Sequence, residues 1–374
     1  MQRLLACGLL IAAASLCANA LAQTAAPTYI VHDTFANGDG GWTSIGGSGT
    51  ITVVHDTDHV KDNKGALQFD YPVEKGKLGF LFRPVEVGSL AKAKALRLWV
   101  RDTATAPVGV VLQEKDGGRY VSMVTVPKDK WQLIELAPSD FVLSEDANDP
   151  KDPDNKLDLD QVENVGIADI AQLVVQTDNA DLATLFGVHS GPRTLLLGDF
   201  SVSDQPLPAA TAPADGTVVL ESFAHPQLNW ITAGEVTIAR STGKPLDGPG
   251  LQADYHIAPG KVIGLIRKVR TGSLAGATGL KLTVAAAKEM KLLVQVEEKD
   301  GGKYNKVVTV AGDKGIQYLN VAFSELTAAQ DSHDANDKLD TELINQVVLL
   351  DASGLLDMTE GDNTLWVGTI TARK

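Results

Sequence analysis

Arg97, Trp99 and Arg101 occupy alternate positions in LRLWVRD, so a strand there puts all three on one side and Leu96, Leu98 and Val100 on the other. A flat indole flanked by two planar cations suits a ligand with an apolar face and a rim of hydroxyls. The competing reading covers Trp99 with a loop or a neighbouring domain. Gln113 is a fourth candidate, if its strand adjoins that of Trp99. The densest acidic stretch runs from Ser144 to Asp160 and is answered by Gln330 to Asp340; both contain DAND before KLD. Carboxylates this close could wrap calcium, with Asp146 and Asp149 as candidate ligands. Against this, Lys156 and Lys338 interrupt and no glycine makes a sharp turn, so a solvated loop held open by like charge is preferred. His55 and His59 in HDTDH lack a third ligand and a counterpart later in the chain, and read as an exposed polar loop. No Gly-x-Ser-x-Gly elbow, HExxH, phosphate loop or dinucleotide fingerprint occurs, and no carboxylate pair is singled out, so no catalytic residue is assigned.

The elements that must carry these residues are written twice. QEKDGGRY at Gln113–Tyr120 returns as EEKDGGKY at Glu297–Tyr304, and ordered matches extend along both flanks. Phe35 and Trp42 answer Phe223 and Trp230, Tyr71 answers Tyr255, and LLLGDFSV from Leu195 answers LWVGTITA from Leu365. A tandem duplication is the secure inference. Each DGG reads as the tight turn of a hairpin, and a bulged register that places Val124 and Val126 on the core face is preferred because Val308 and Val310 repeat them. Alternating strands separated by glycine turns predict an all-β protein of two antiparallel sandwiches, over 29–203 and 217–374, with a Pro/Ala-rich linker over 204–216. Asp158 to Ile170 and Asp181 to Phe186 are expected to form a turn or two of helix. Trp42, Trp230 and Trp131 are expected in the core or at its rim, and Tyr120 and Tyr304 to brace the turns.

The chain has 374 residues, a hydrophobic fraction of 44% and a formal charge of −14. Residues 1–22 hold one cation, Arg3, an apolar run and small residues at their end, the pattern of a secretory signal peptide. Its removal would take both cysteines, Cys7 and Cys17, leaving no thiol or disulfide chemistry, and would take the charge to −15. Clustered cations for nucleic acid are lacking. A periplasmic or extracellular protein is expected, with no membrane span after processing.

Each copy resembles a carbohydrate-binding module of the galactose-binding-like jelly-roll superfamily, nearest to family 11 modules and complex I intermediate-associated domains. The resemblance rests on FANGDGGW and FAHPQLNW, on Leu67 and Leu251 four residues before tyrosine, on the hairpin followed by WQLIELAPSDF, and on KLD before a closing apolar strand. It implies a jelly roll and carbohydrate binding without catalysis. It also implies a structural calcium held by an acidic residue after the opening Phe and by an Asp in the closing strand. Ala36 and Ala224 depart from the first, and only copy one keeps the second, as Asp199 against Thr369. An envelope scaffold or adhesion protein that binds other proteins is the alternative.

Overall fold

The computed structural model describes residues 28–61, 64–144, 149, 151–177, 188–207, 217–313 and 315–374. The leader, Asp146, the segment Asp181 to Phe186 and most of the linker therefore lie outside the described residues. In copy one the strands are β1 Tyr29–Asp33, β2 Thr43–Ile45, β3 Thr50–Val54, β4 Ala66–Val73, β5 Phe80–Pro84 and β6 Ala95–Asp102. They continue as β7 Ala106–Glu114, β8 Arg119–Val126, β9 Gln132–Leu136, β10 Val142–Leu143, β11 Val162–Asp169 and β12 Gly191–Ser203. Copy two follows with β13 Val218–Glu221, β14 Ile231–Ala233, β15 Val236–Ser241, β16 Gly250–Ile257, β17 Ile263–Lys268 and β18 Gly279–Ala286. Its remaining strands are β19 Met290–Glu298, β20 Lys303–Val310, β21 Gln317–Ala322, β22 Thr327–Ala328, β23 Ile344–Asp351 and β24 Gly361–Arg373.

Each copy is an antiparallel sandwich of two sheets, so the protein is all-β with two tandem jelly rolls. One sheet has the order β3-β4-β12-β6-β9, with β1 on the end of β12; the other is β10-β8-β7-β11-β5-β2. Copy two repeats both orders as β15-β16-β24-β18-β21, with β13 on β24, and β22-β20-β19-β23-β17-β14. Period-two alternation produces this directly. Leu96, Leu98 and Val100 from the first sheet meet Val108, Val110 and Leu112 from the second in one core, with Trp42 edge-on to Phe200 at 5.1 Å. Trp42 and Trp230 are fully buried. The hairpin takes the bulged register: Leu112 opposes Tyr120, and Val124 and Val126 are buried. The stretch Asp158 to Ile170 is not helical over most of its length. Val162–Asp169 is the strand β11, paired on both sides by β7 and β5, and only Ala171–Val174 beyond it forms a helical turn.

The copies are joined by more than a linker. Residues 226–230 of copy two run between the edge of β8 in one sheet of copy one and the edge of β9 in the other. The Thr125 amide donates to the Leu228 carbonyl at 3.0 Å, and the Gln132 side chain donates to the Pro226 carbonyl at 2.9 Å. Buried Gln227 pairs its amide with the backbone of Glu135 in both directions, at 2.6 and 3.3 Å. Met123 packs on Ile231, Ala233, Ile266 and Val348.

Candidate functional site

Strand β6 carries Arg97, Trp99 and Arg101 outward, as alternation requires, while its even-numbered neighbours Leu96, Leu98 and Val100 are buried. Opposite Trp99 the partner strand β12 has a bulge: Leu98 pairs with Phe200 and Val100 with Leu197, leaving Gly198 and Asp199 against one residue. A side chain would be crowded at Gly198. A Cβ at Gly198 would stand 3.0 Å from the Trp99 Cβ and 3.3 Å from the ring of Trp131, which precedes β9. The two half-buried indoles thus flank a bare stretch of backbone on the outer face of the sheet. Trp131 belongs to this surface and not to the interior.

Around the indoles the polar groups are paired. Arg97 Nε donates to Glu135 Oε1 at 2.9 Å, and an Arg101 Nη donates to the Asp58 carbonyl at 2.7 Å with Asp129 at 4.0 Å. The Lys61 ammonium lies 4.7 Å from the Trp99 ring centroid. It partly covers the platform, as the competing reading of Trp99 anticipated. A pocket of about 120 Å³ lies beside Arg101, bounded by His59, Gln68, Thr194 and Leu196. That is below the ~300–1,000 Å³ of ordinary small-molecule sites, so this face is a surface and not a cavity.

Gln113 is not part of this surface. The chain crosses between sheets after β6, so β7 pairs with β8 and β11 and never with β6. Gln113 faces outward on the opposite side of the sandwich, where it donates to the Gly118 carbonyl and accepts from Arg119. Lys61 and Gly198 were not selected from sequence. Lys61 reaches Trp99 from a loop remote in the chain and carries no local signal; Gly198, in an apolar strand at the same place in both copies, has the composition of a bulge.

In copy two the same face differs. Thr283 replaces Trp99, and the position of Leu196 becomes Trp366, which is 7% exposed and packs on Leu246 and Ala285. Its Nε1 donates to Gln252 at 3.2 Å, beside a hollow of about 480 Å³ lined by Lys244, Pro245, Gly315 and Ile316.

Of the expected calcium ligands, Asp146 lies outside the described residues, and Asp149 and Asp199 are each paired elsewhere. Asp199 is engaged by His32 at 3.1 Å and Lys64 at 3.9 Å, and Asp149 by Arg119. Near the opening Phe, the Asp33 carboxylate is taken by Arg83 at 2.6 Å and by the Trp42 indole at 3.0 Å. Asp33, Asp149 and Asp199, each already paired with other side chains, do not fit the calcium implied by the resemblance. His59 is bonded to Asp56, and His55 to the Lys64 carbonyl, without a shared centre.

The acidic loops serve the hairpins instead. Tyr120 donates to Asp152 and Tyr304 to Asp334, so Asp152, not the DAND of copy one, is the counterpart of Asp334. Under each tyrosine lies a buried glutamate, Glu114 or Glu298. Burial pushes both carboxyls up to about 7, and the charges of the surrounding aspartates push the same way. A cleft of about 890 Å³ opens beside this loop in copy one, lined by Tyr120, Ser139, Asp152, Lys156, Arg270 and Lys299.

No protein-family model matches the sequence, and no curated protein does. Among solved structures the chain is similar to a family 11 carbohydrate-binding module from Clostridium thermocellum in complex with a β-1,3-1,4-mixed-linked tetrasaccharide. The identity is 14%, over 43% of this chain and 97% of that one, with a TM-score of 0.34. The N-terminal tandem of two family 22 modules from Paenibacillus barcinonensis is 13% identical over 93% of this chain and 98% of that one, with a TM-score of 0.30. An exo-β-agarase is 11% identical over 44% of this chain and 24% of that one, with a TM-score of 0.29.

Proposed function

We propose that the protein is an exported, non-catalytic carbohydrate-binding protein whose ligand lies across the Trp99–Gly198–Trp131 face of copy one. The observation that carries this reading is the bulge: it sets two indoles on either side of bare backbone on an outward sheet face, with charged donors and acceptors at the rim. Sugars present C–H faces to aromatic rings and hydroxyls to such a rim. The family resemblance of the opening Phe/Trp pair and the KLD segment supports the same class, and the apolar leader supports export. Among the described residues no helix is long and apolar enough to cross a membrane.

Lys61 sets the size of the effect. Covering about 60 to 100 Å² of indole contributes roughly 1.5 to 2.5 kcal/mol at ~25 cal/mol per Å². Displacing an exposed cation from the ring costs about 0.5 to 1 kcal/mol. The net contribution of Trp99 is therefore on the order of 0.5 to 2 kcal/mol, a factor of about two to thirty in affinity. A glycan array probed with the full chain and with Trp99→Ala and Trp131→Ala tests the reading. It expects a common set of bound glycans whose signals fall in both variants; an array on which the folded full chain binds no glycan refutes it.

A further inference from the structure

The most faithfully repeated stretch of the chain, EKDGG, has a use in copy two that the sugar-binding face does not explain. Glu298 ends β19 and is 4% exposed. One of its carboxylate oxygens accepts the Asp340 amide; the other, Oε2, is buried without any hydrogen-bond partner. An orphaned carboxylate oxygen at this depth is costly unless a counter-charge meets it. Glycine at 302 is what lets the oxygen sit there, since a Cβ would stand 1.9 Å from Oε2. Glu298, Asp300 and Asp334 each bring a carboxylate oxygen to within 4.8 Å of the others. Atoms so spaced fit around a single ion bonded at about 2.3–2.6 Å, since twice that length is 4.6–5.2 Å.

The loop that supplies Asp334 is fixed to the turn. The His333 amide donates to the Gly301 carbonyl at 3.0 Å, and Asp334 accepts the amides of Asn336 and Lys338 at 3.0 and 2.9 Å. From the orphaned oxygen and the three convergent carboxylates, we infer that copy two binds one hard divalent cation, calcium by its all-oxygen donors, at Glu298, Asp300 and Asp334. Water completes the coordination on the exposed side of Asp300. The cation clamps the hairpin tip to the 331–340 loop. Among the described residues this is the one such carboxylate group; in copy one Glu114, Asp116 and Asp152 have the same types without the same convergence. The inference is independent of sugar binding.

The test is calorimetric titration of calcium chloride into the chelator-treated full chain, with terbium emission sensitised by Tyr304 as a second readout. One site is expected, with a dissociation constant on the order of 10⁻⁵ to 10⁻³ M. Asp300→Asn removes an exposed ligand without touching the core and should weaken binding at least about tenfold, since affinity follows ligand charge. Glu298→Gln and Gly302→Ala should do the same, while Asp116→Asn should leave it unchanged. Circular dichroism reports whether each variant is folded. No calcium heat up to about 10 mM, unchanged affinity in folded Asp300→Asn, or equal loss in Asp116→Asn overturns the assignment.

Discussion

The Tyr71 phenol lies 2.8 Å from a carboxylate oxygen of Asp102 and 2.9 Å from one of Asp169, and Arg193 holds Asp169 at 2.7 Å. One O–H makes only one full-strength bond, so both short contacts are best satisfied when one acid keeps its proton and donates to the phenol oxygen. Burial, and then the charge of Asp169, raises Asp102 to about 7. A carboxyl whose folded pKa exceeds its unfolded value contributes stability that is complete below about pH 4 and is lost as the pH rises towards 7. The expected outcome is that Asp102→Asn, which keeps an acceptor for the Ala104 amide, flattens this fall by on the order of a few kcal/mol. Urea melts of both proteins from pH 4 to 8 measure it, and parallel curves would contradict the assignment. Copy two has Ala286 and Asn363 in place of Asp102 and Arg193, and its Tyr255 meets one carboxylate, Asp351 at 2.9 Å, with the Met290 sulfur at 3.7 Å. At this scale alternation made the outward direction of Trp99 legible. The partners of Asp102 and Trp99 were not, because Asp169, Arg193 and Lys61 arrive from distant segments.

Elements repeat more faithfully than side chains. Both copies have the bulge opposite position 99 or 283, the hairpin register, and a helical turn after β11 or β23. The register was legible because Val124 and Val126 recur as Val308 and Val310. The pairing of the acidic loops was misread: DAND recurs as letters, but the tyrosine of each hairpin selects Asp152 and Asp334, and copy one carries extra residues before that point. Strand neighbours were also beyond the sequence, since a connection from β6 to β7 does not say whether the chain stays in one sheet; hence the separation of Gln113 from Trp99. The 226–230 segment gives an element-scale test. Gln227 satisfies both the N–H and the C=O of Glu135, and leaving them unpaired should cost about 1 to 3 kcal/mol. Gln227→Ala is expected to lower the urea midpoint accordingly; an unchanged midpoint would mean that water replaces the amide without loss.

As a whole the molecule has two separate cores, one per copy, bridged by a strip of copy two laid on the edges of copy one. Each copy should fold alone, but a chain ending at Leu207 uncovers the Thr125 and Glu135 edges and Met123. It should melt below the corresponding transition of the full chain in calorimetry; identical transitions would mean the strip contributes nothing. The proposed sugar site occupies one sandwich face in one of the two copies. Thr283 in copy two has no ring to offer, and Trp366 is largely buried. The most direct measurement is calorimetric titration of a glycan identified on the array into the full chain, Trp99→Ala and Thr283→Ala, each checked for fold by circular dichroism. Affinity should fall about two- to thirtyfold in Trp99→Ala and stay unchanged in Thr283→Ala. Unchanged binding in folded Trp99→Ala, or a loss confined to Thr283→Ala, would contradict it.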